Sequence, residues 1–322
     1  MNTVQSIAST FICLLLCVSG CKRAAVSDVA DKPNTADSAA LSVALGPTLD
    51  CLPFYYAEAS GIYDALGLNV DIRSFSAQFD RDTALLGTTA DGIFSDLVRT
   101  QYDVAQGHNL SVVMSTVGQW SVVASGGSRI RSVSKLKKRM VGVARYSASD
   151  FYSEKVLSKA GLKYDDVFRP QVNDVSLRAA MLNETQIEAA VLPEPYATVA
   201  RMYGHKVLHT IPMTQNVGCL TFNTKVLKNK RKSDAVKLLI EGYSRAVDSL
   251  NLRGKNVCRD VLRTTYQLTE QEIDSLQLYR YSMPALPSDT MVENASAFLK
   301  RHLKSKRNGT AGLLLNNNYI SR

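Results

Sequence analysis

The side chains of this chain that could act on another molecule are hydroxyls, carboxylates and rings rather than the nucleophile and base pairs of covalent catalysis. Tyr146, Ser147 and Ser149 stand where a helix should begin, and free amides with serine hydroxyls at a helix start favour an anionic or carbonyl group. Glu194, between Pro193 and Pro195, suits the opposite: an amine or an aminopyrimidine edge, held by a charge-assisted bond when that edge is cationic. Thr48, Asp50 and Tyr55 follow one apolar run, Gln78 and Phe79 follow a second, Ser95 follows a third, and Trp120 is the single tryptophan. His108, His205, His209 and His302 are scattered away from these positions, so no Ser/His/Asp or Cys/His constellation assembles. Only His205 and His209 share an i,i+4 spacing, across what reads as a strand, and neither a metal nor a cofactor is expected.

Each candidate has a structural alternative. Ser149 can serve only as a helix N-cap, and Glu194 can simply complement the dipole of a helix running to Gly204. Tyr55, Phe79, Trp120 and Tyr146 can belong to the core, where an aromatic ring packs more often than it stacks on a ligand. Cys51, Cys219 and Cys258 are too few for a disulfide framework, leaving a single Cys51 to Cys219 bridge or buried free thiols.

A different chemistry stands at the amino terminus. The apolar run of residues 11 to 21 stops at Cys21, and Val18-Ser19-Gly20-Cys21 resembles a bacterial lipobox. The Cys21 thiol can take a diacylglycerol and its freed amine a further acyl chain, and two or more chains anchor stably. A plain signal peptide or a buried first helix is the alternative, since residues 1 to 10 lack Lys and Arg. The expectation is a signal peptide over residues 1–20, lipidation at Cys21 and a flexible tether over residues 21–40, rich in Ala, Ser, Asp and Lys.

With 322 residues, 45% hydrophobic and 21% charged, the chain can bury two sizeable cores. The net charge of +9 is concentrated in Lys225 to Lys232 and Lys300 to Arg307. No aromatic residue interleaves with those lysines, which argues for solvated faces and against a nucleic-acid partner.

From Leu41 to about Pro212, short apolar runs alternate with helical patterns, the signature of an α/β sheet with crossover helices. Strands are expected at Leu41 to Leu45, Asn69 to Arg73, Gly92 to Phe94, Ser111 to Met114, Ser121 to Ala124 and Met140 to Ala144. Helices are expected at Pro53 to Leu66, Asp80 to Leu86 and Ser149 to Ala160, the last with Ser149 as N-cap. Beyond Pro212 the pattern turns helical: Ser233 to Asn251, a helix behind the Thr269/Glu272 capping box, and Met291 to Leu303. Two stretches echo each other, Ala84 to Phe94 and Ala180 to Leu192. Each reads as helix end, turn, an acid (Asp91, Glu188) and a buried strand.

Several segments together resemble a known family. Pro53-Phe-Tyr-Tyr-Ala-Glu-Ala-Ser-Gly-Ile-Tyr63 before Gly67-Leu-Asn-Val-Asp71, Lys135-Leu136-Lys137 before Val141-Gly142-Val143, Lys159-Ala-Gly-Leu162 and Ala189-Ala-Val-Leu-Pro-Glu-Pro-Tyr196 are similar to type II periplasmic substrate-binding proteins of ABC importers. The branch is the one that binds thiamine-type pyrimidines, sulfonates, taurine and nitrate. Thr88 and Thr185 stand near where that family usually has glycine, and Lys137-Lys-Arg-Met140 lacks a glycine as well.

The resemblance implies an α/β, two-lobed type II periplasmic-binding-protein fold, each lobe a mixed sheet flanked by helices. Lobe 1 would comprise residues 41–124 and 218–322, with the helical C-terminal third packed on it, and lobe 2 residues 125–217. Ligands of open α/β sheets bind beyond the carboxyl ends of the strands. Thr48, Asp50, Tyr55, Ser76, Gln78, Phe79, Ser95 and Asp96 would then face Tyr146, Ser147, Ser149 and Glu194. The implied function is a monomeric, lipid-anchored solute-binding protein of the bacterial cell envelope. It would close over a small nitrogen- or sulfur-containing solute and deliver it to an ABC permease and its ATPase. The alternative is an enzyme on the same scaffold, of the menaquinone-pathway or pyrimidine-forming type.

Overall fold

The structure, a computed structural model, describes residues 41–303 and 314–320. The expected signal segment, Cys21 and the tether lie outside the described residues. β1 (Leu41–Leu45) has a parallel neighbour on each side, β2 (Val70–Ser74) and β3 (Gly92–Asp96), and its leucines and Val43 are accordingly fully buried. Between these strands run α1 (Leu52–Ala59), α2 (Ile62–Ala65) and α3 (Gln78–Leu86). The single helix expected over Pro53 to Leu66 is split at Gly61, whose φ of 72° lies in the left-handed region.

After α4 (Leu97–Ala105) comes β4 (Leu110–Ser115), which joins the sheet through β9 (Gly218–Asn223), antiparallel to both β3 and β4. A two-residue β10 (Leu314–Leu315) completes the order β10-β4-β9-β3-β1-β2. The second sheet has the order β6-β7-β5-β8, from β5 (Trp120–Ala124), β6 (Val141–Gly142), β7 (Ala189–Pro193) and β8 (Lys206–Ile211). α5 (Ala148–Lys159), α6 (Val175–Asn183) and α7 (Tyr196–Met202) flank it.

The lobe boundary expected after Ala124 differs in the structure. β5 lies inside the smaller sheet, antiparallel to β7 and β8, so the chain crosses at residues 116–119 and returns at residues 212–217. The two crossings brace each other where the Thr116 amide donates to the Gly218 carbonyl at 3.0 Å and Asn216 Nδ2 donates to the Thr116 carbonyl at 2.7 Å.

Helices then follow as α8 (Thr224–Lys228), α9 (Lys230–Arg253), α10 (Arg259–Thr264), α11 (Glu270–Ser275) and α12 (Asp289–His302). α9 begins earlier than the expected Ser233 because Asn229 caps it, accepting from the Lys232 amide at 3.2 Å. Its Val236, Leu239, Tyr243 and Val247 pack into the core beneath β1, with the rings of Phe54 and Tyr243 4.7 Å apart. The Thr269/Glu272 capping box is present at α11. α12 departs from the expected packing on the first lobe alone: it lies along α4, while Phe298 meets Phe151 of α5 at 5.7 Å and Glu154 pairs with Arg301 and His302. Cys51, Cys219 and Cys258 are buried free thiols, and no bridge joins Cys51 to Cys219.

Candidate functional site: a cavity between the two sheets

The echo heard in the sequence is a structural repeat. α3 with β3, and α6 with β7, each carry a buried arginine on the helix that donates to the carbonyl six residues before it and to the carbonyl thirteen residues after it. Arg81 thus ties Phe75 and Phe94, and Arg178 ties Val172 and Val191. Thr88 and Thr185 hold the turns with φ of 60° and 54°, where glycine is ordinarily favoured. The acid that follows takes an amide at or just before the start of a neighbouring strand: Ser42 donates to Asp91, and Met140 to Glu188, both at 2.9 Å. Asp91 and Glu188 are therefore turn residues, as their structural reading has it.

The repeats meet face to face. The Gln78 amide donates to the Asn173 carbonyl at 3.4 Å and the Val175 amide to the Ser76 carbonyl at 3.3 Å, a short antiparallel clasp centred on Ala77 and Asp174. Ser76 Oγ also donates to Asp174, whose other oxygen caps α6 at the Leu177 amide. Behind this clasp lies a narrow cavity of about 40 Å³, room for a few water molecules.

Most of the expected residues line that cavity. Thr48 and Asp50 come from the turn after β1, Gln78 from the start of α3, Ser95 from the end of β3 and Trp120 from the start of β5. Ser147 and Ser149 approach from the other lobe. The N-cap of α5 is Ser147, not Ser149; Ser147 Oγ accepts from the Ser149 amide at 3.2 Å and donates to the Ala144 carbonyl at 2.7 Å, while Ser149 Oγ accepts from the Ala144 amide at 2.9 Å. These two hydroxyls are spent on shaping their own turn.

Four expected residues sit elsewhere. Tyr55 lies on the buried side of α1, edge-on to Tyr266 at 5.8 Å. Phe79 is 58% exposed at an outer groove. Tyr146 stacks on Tyr102 at 5.1 Å beside the same groove. Glu194 turns its carboxylate onto α7, accepting from the Thr198 amide at 3.0 Å, because the two prolines place it at that helix's start. Its backbone, by contrast, joins the lobes, taking the Leu49 amide at 2.9 Å.

Residues that sequence reasoning passed over complete the lining, among them Arg81, Asn173 and Arg178. Extending the echo a few positions toward the amino terminus would have paired the two arginines. Burial pulls the Arg178 guanidinium down to about 10, which leaves it charged at neutral pH. Asp96 is raised by burial against the amide bonds it accepts from Ala148 and Arg99, the latter at 2.8 Å, and Gln78 Nε2 adds a bond at 3.3 Å.

Asp50 differs from all of these. It is fully buried, and among the described residues neither carboxylate oxygen has a hydrogen-bond partner. Burial pushes it up to about 7, opposed by its own backbone amide and, through space, by Arg81. Gly118 in the first crossing and Gly218 at the start of β9 leave room for the carboxylate: a Cβ at Gly118 would fall 2.0 Å from Oδ2. Thr48 Oγ1, Ser95 Oγ and Thr116 Oγ1 are likewise buried without partners.

Two open sheets, two crossings and a polar cavity at the ends of their strands define a type II periplasmic-binding-protein fold. The chain belongs to the NMT1/THI5-like family, whose sequence model matches residues 48–273. Comparison with curated protein sequences gives no match. Among solved structures, the ligand-binding component of an ABC-type import system from Staphylococcus aureus is similar, with TM-score 0.69 and 15% identity over 82% of this chain and 91% of the other. The alkanesulfonate-binding protein of Xanthomonas axonopodis pv. citri gives TM-score 0.67 and 15% identity over 82% and 92%. The nitrate-binding protein of Synechocystis gives 0.69 and 12% over 85% of each chain.

Proposed function

We propose that this chain is the solute-binding protein of an ABC importer, held at the outer side of a bacterial membrane by lipid on Cys21. The observation that carries the reading is the polar cavity between the sheets, closed by the backbone clasp of residues 76–78 on residues 173–175. A solute larger than a few atoms enters only when the lobes part, and two crossing segments are the hinge such a motion uses. The lining supplies hydroxyls, carboxylates, an amide and an indole, groups suited to holding a small molecule that is then released unchanged to the permease. The imported solute is a small compound carrying nitrogen or sulfur, in keeping with the ligands named for the structural relatives.

Thermal-shift screening of the chain lacking residues 1–21 tests the binding role, since a solute at a hundred times its Kd adds about 2.7 kcal/mol of stability. Turnover of a hit into a new compound would replace binding with catalysis as the function. The anchor is tested separately: Cys21→Ala should leave solute binding intact and move the protein from the detergent phase to the aqueous phase. A variant still retained in the membrane would remove lipidation from the proposal.

A further inference from the structure

Two of the structural relatives named above bind a sulfonate and a nitrate, but this cavity is built around an acid. Asp50 is fully buried at the cavity wall with both oxygens unpartnered among the described residues, and its carboxylate packs directly against the Cβ-less backbone of Gly118. A buried carboxylate that lacks donors is costly, on the order of several kcal/mol when ionised. Folds retain such a group where another molecule supplies the missing hydrogens.

The cationic groups of the cavity do not answer to it. Arg81 directs Nε to the Phe94 carbonyl at 3.1 Å and Nη1 to the Phe75 carbonyl at 2.5 Å. Arg178 gives Nε and Nη2 to the Val172 carbonyl and Nη1 to the Val191 carbonyl. Both guanidiniums are thereby tied into their own lobes. An oxyanion in this cavity would have to lie against Asp50 and Asp96, with Arg178 fully committed to backbone carbonyls and Arg81 committed through two of its three nitrogens. A solute bearing N–H donors meets the opposite situation, with Asp50 as acceptor, the Thr48 and Ser95 hydroxyls as further partners, and the Trp120 ring as an apolar and cation-attracting face.

We infer that Asp50 is the anchor of the bound solute, and that the solute presents it with a protonated or N–H-rich nitrogen group such as an amine, amidine or guanidine. This rests on the solute-binding reading and narrows it to one ligand class.

Trp120, the single tryptophan, lines the cavity, so intrinsic fluorescence reports directly on the site. Titration with methylguanidine and acetamidine, against nitrate and methanesulfonate at constant ionic strength, is the test. The nitrogen compounds should give a saturable change, and Asp50→Asn should weaken them about 10- to 100-fold, the range for a hydrogen bond to a charged group. Glu194→Gln should leave their affinity unchanged.

A second arm needs no variant. Methylguanidine stays charged throughout, so its affinity for the wild-type chain should rise as pH increases through about 7 and Asp50 ionises. Of the other groups facing Asp50, Arg81 is the neighbouring guanidinium, and Cys51, Tyr152, Tyr243, Tyr266, Tyr279 and Tyr281 stay neutral because burial raises them all. Asp96, the second acid of the cavity, is also raised by burial, but its amide partners oppose that rise. Saturable binding of nitrate or methanesulfonate, unaffected or tightened by Asp50→Asn, would overturn the inference and leave the binding role standing. Saturation by neither class would overturn both.

Discussion

Asp50 and Asp150 are both excluded entirely from solvent, one in each lobe and each close to a helix start, yet they are treated in opposite ways. Asp150 accepts from the Tyr146 amide at 3.1 Å, receives the Tyr164 hydroxyl at 2.9 and 3.1 Å, and lies 3.7 Å from Arg169 Nε. Burial raises its carboxyl, and those three groups oppose the rise. Asp50 has no comparable set. Where the fold needs a buried carboxylate for its own integrity, it surrounds that carboxylate with donors. Asp82 and Asp103, buried as well, share Arg99 at 2.7 and 3.8 Å, so what sets Asp50 apart is that it has neither such a donor set nor an ion pair among the described residues.

The contrast is most open to attack through stability. Asp150→Asn leaves Arg169 buried without its counter-charge and should cost about 3 to 5 kcal/mol in urea unfolding. Asp50→Asn, measured without solute at pH 8, should leave the protein at least as stable as the wild type. Equal losses at the two positions would abolish the distinction.

The pH profile separates them next. The folded Asp50 carboxyl ionises near 7 and its unfolded counterpart near 3.8, so the native state holds the proton more tightly. Its stabilising contribution is complete below the unfolded value and is lost as pH rises through the folded one. At ~1.4 kcal/mol per pH unit, the loss reaches about 4 kcal/mol at most. Subtracting the Asp50→Asn profile from the wild-type profile should show that decline between pH 4 and 7, and a flat difference would mean that Asp50 already has a partner in solution.

A smaller effect compares a spare side chain with an engaged one at matched turns. Thr88 is exposed, whereas Thr185 Oγ1 pairs with Ser125 Oγ at 2.8 Å. Glycine relieves the left-handed strain at either turn, so Thr88→Gly should raise stability by about 0.5 to 1 kcal/mol. Thr185→Gly should gain less or nothing, because it also forfeits that hydroxyl contact, and differential scanning calorimetry of the pair resolves the ranking.

Much of this molecule was readable from the chain because local patterns and fold agreed. β1 and α9 announce themselves by apolar spacing, and Thr269 with Glu272 forms the capping box its sequence promises. Thr88, Thr185 and Lys138, which stand where glycine was missed, all adopt positive φ, so these turns form without the residue that suits them best. The boundary after Ala124 misled because a strand's sheet membership is a long-range matter: nothing in Trp120 to Ala124 says which sheet receives it. Glu194 misled for a related reason. An acid after a buried strand looks the same whether it faces a cavity or caps the next helix, and only the Thr198 amide shows which. Arg81 and Arg178 were passed over because a lone arginine on a helix reads as surface until its carbonyl partners, set by tertiary structure, are known.

The clasp between residues 76–78 and 173–175 has a consequence for time rather than for affinity. Its bonds join main-chain amides to carbonyls and Ser76 Oγ to Asp174, all within the protein, so the chemistry of a captured molecule does not alter them, and the same bonds break for every departure. In a carrier closed this way, residence time follows the frequency with which the two helix starts separate. Different solutes would then leave at similar rates while differing in how readily they are first caught, the reverse of the usual pattern in which dissociation carries most of the variation.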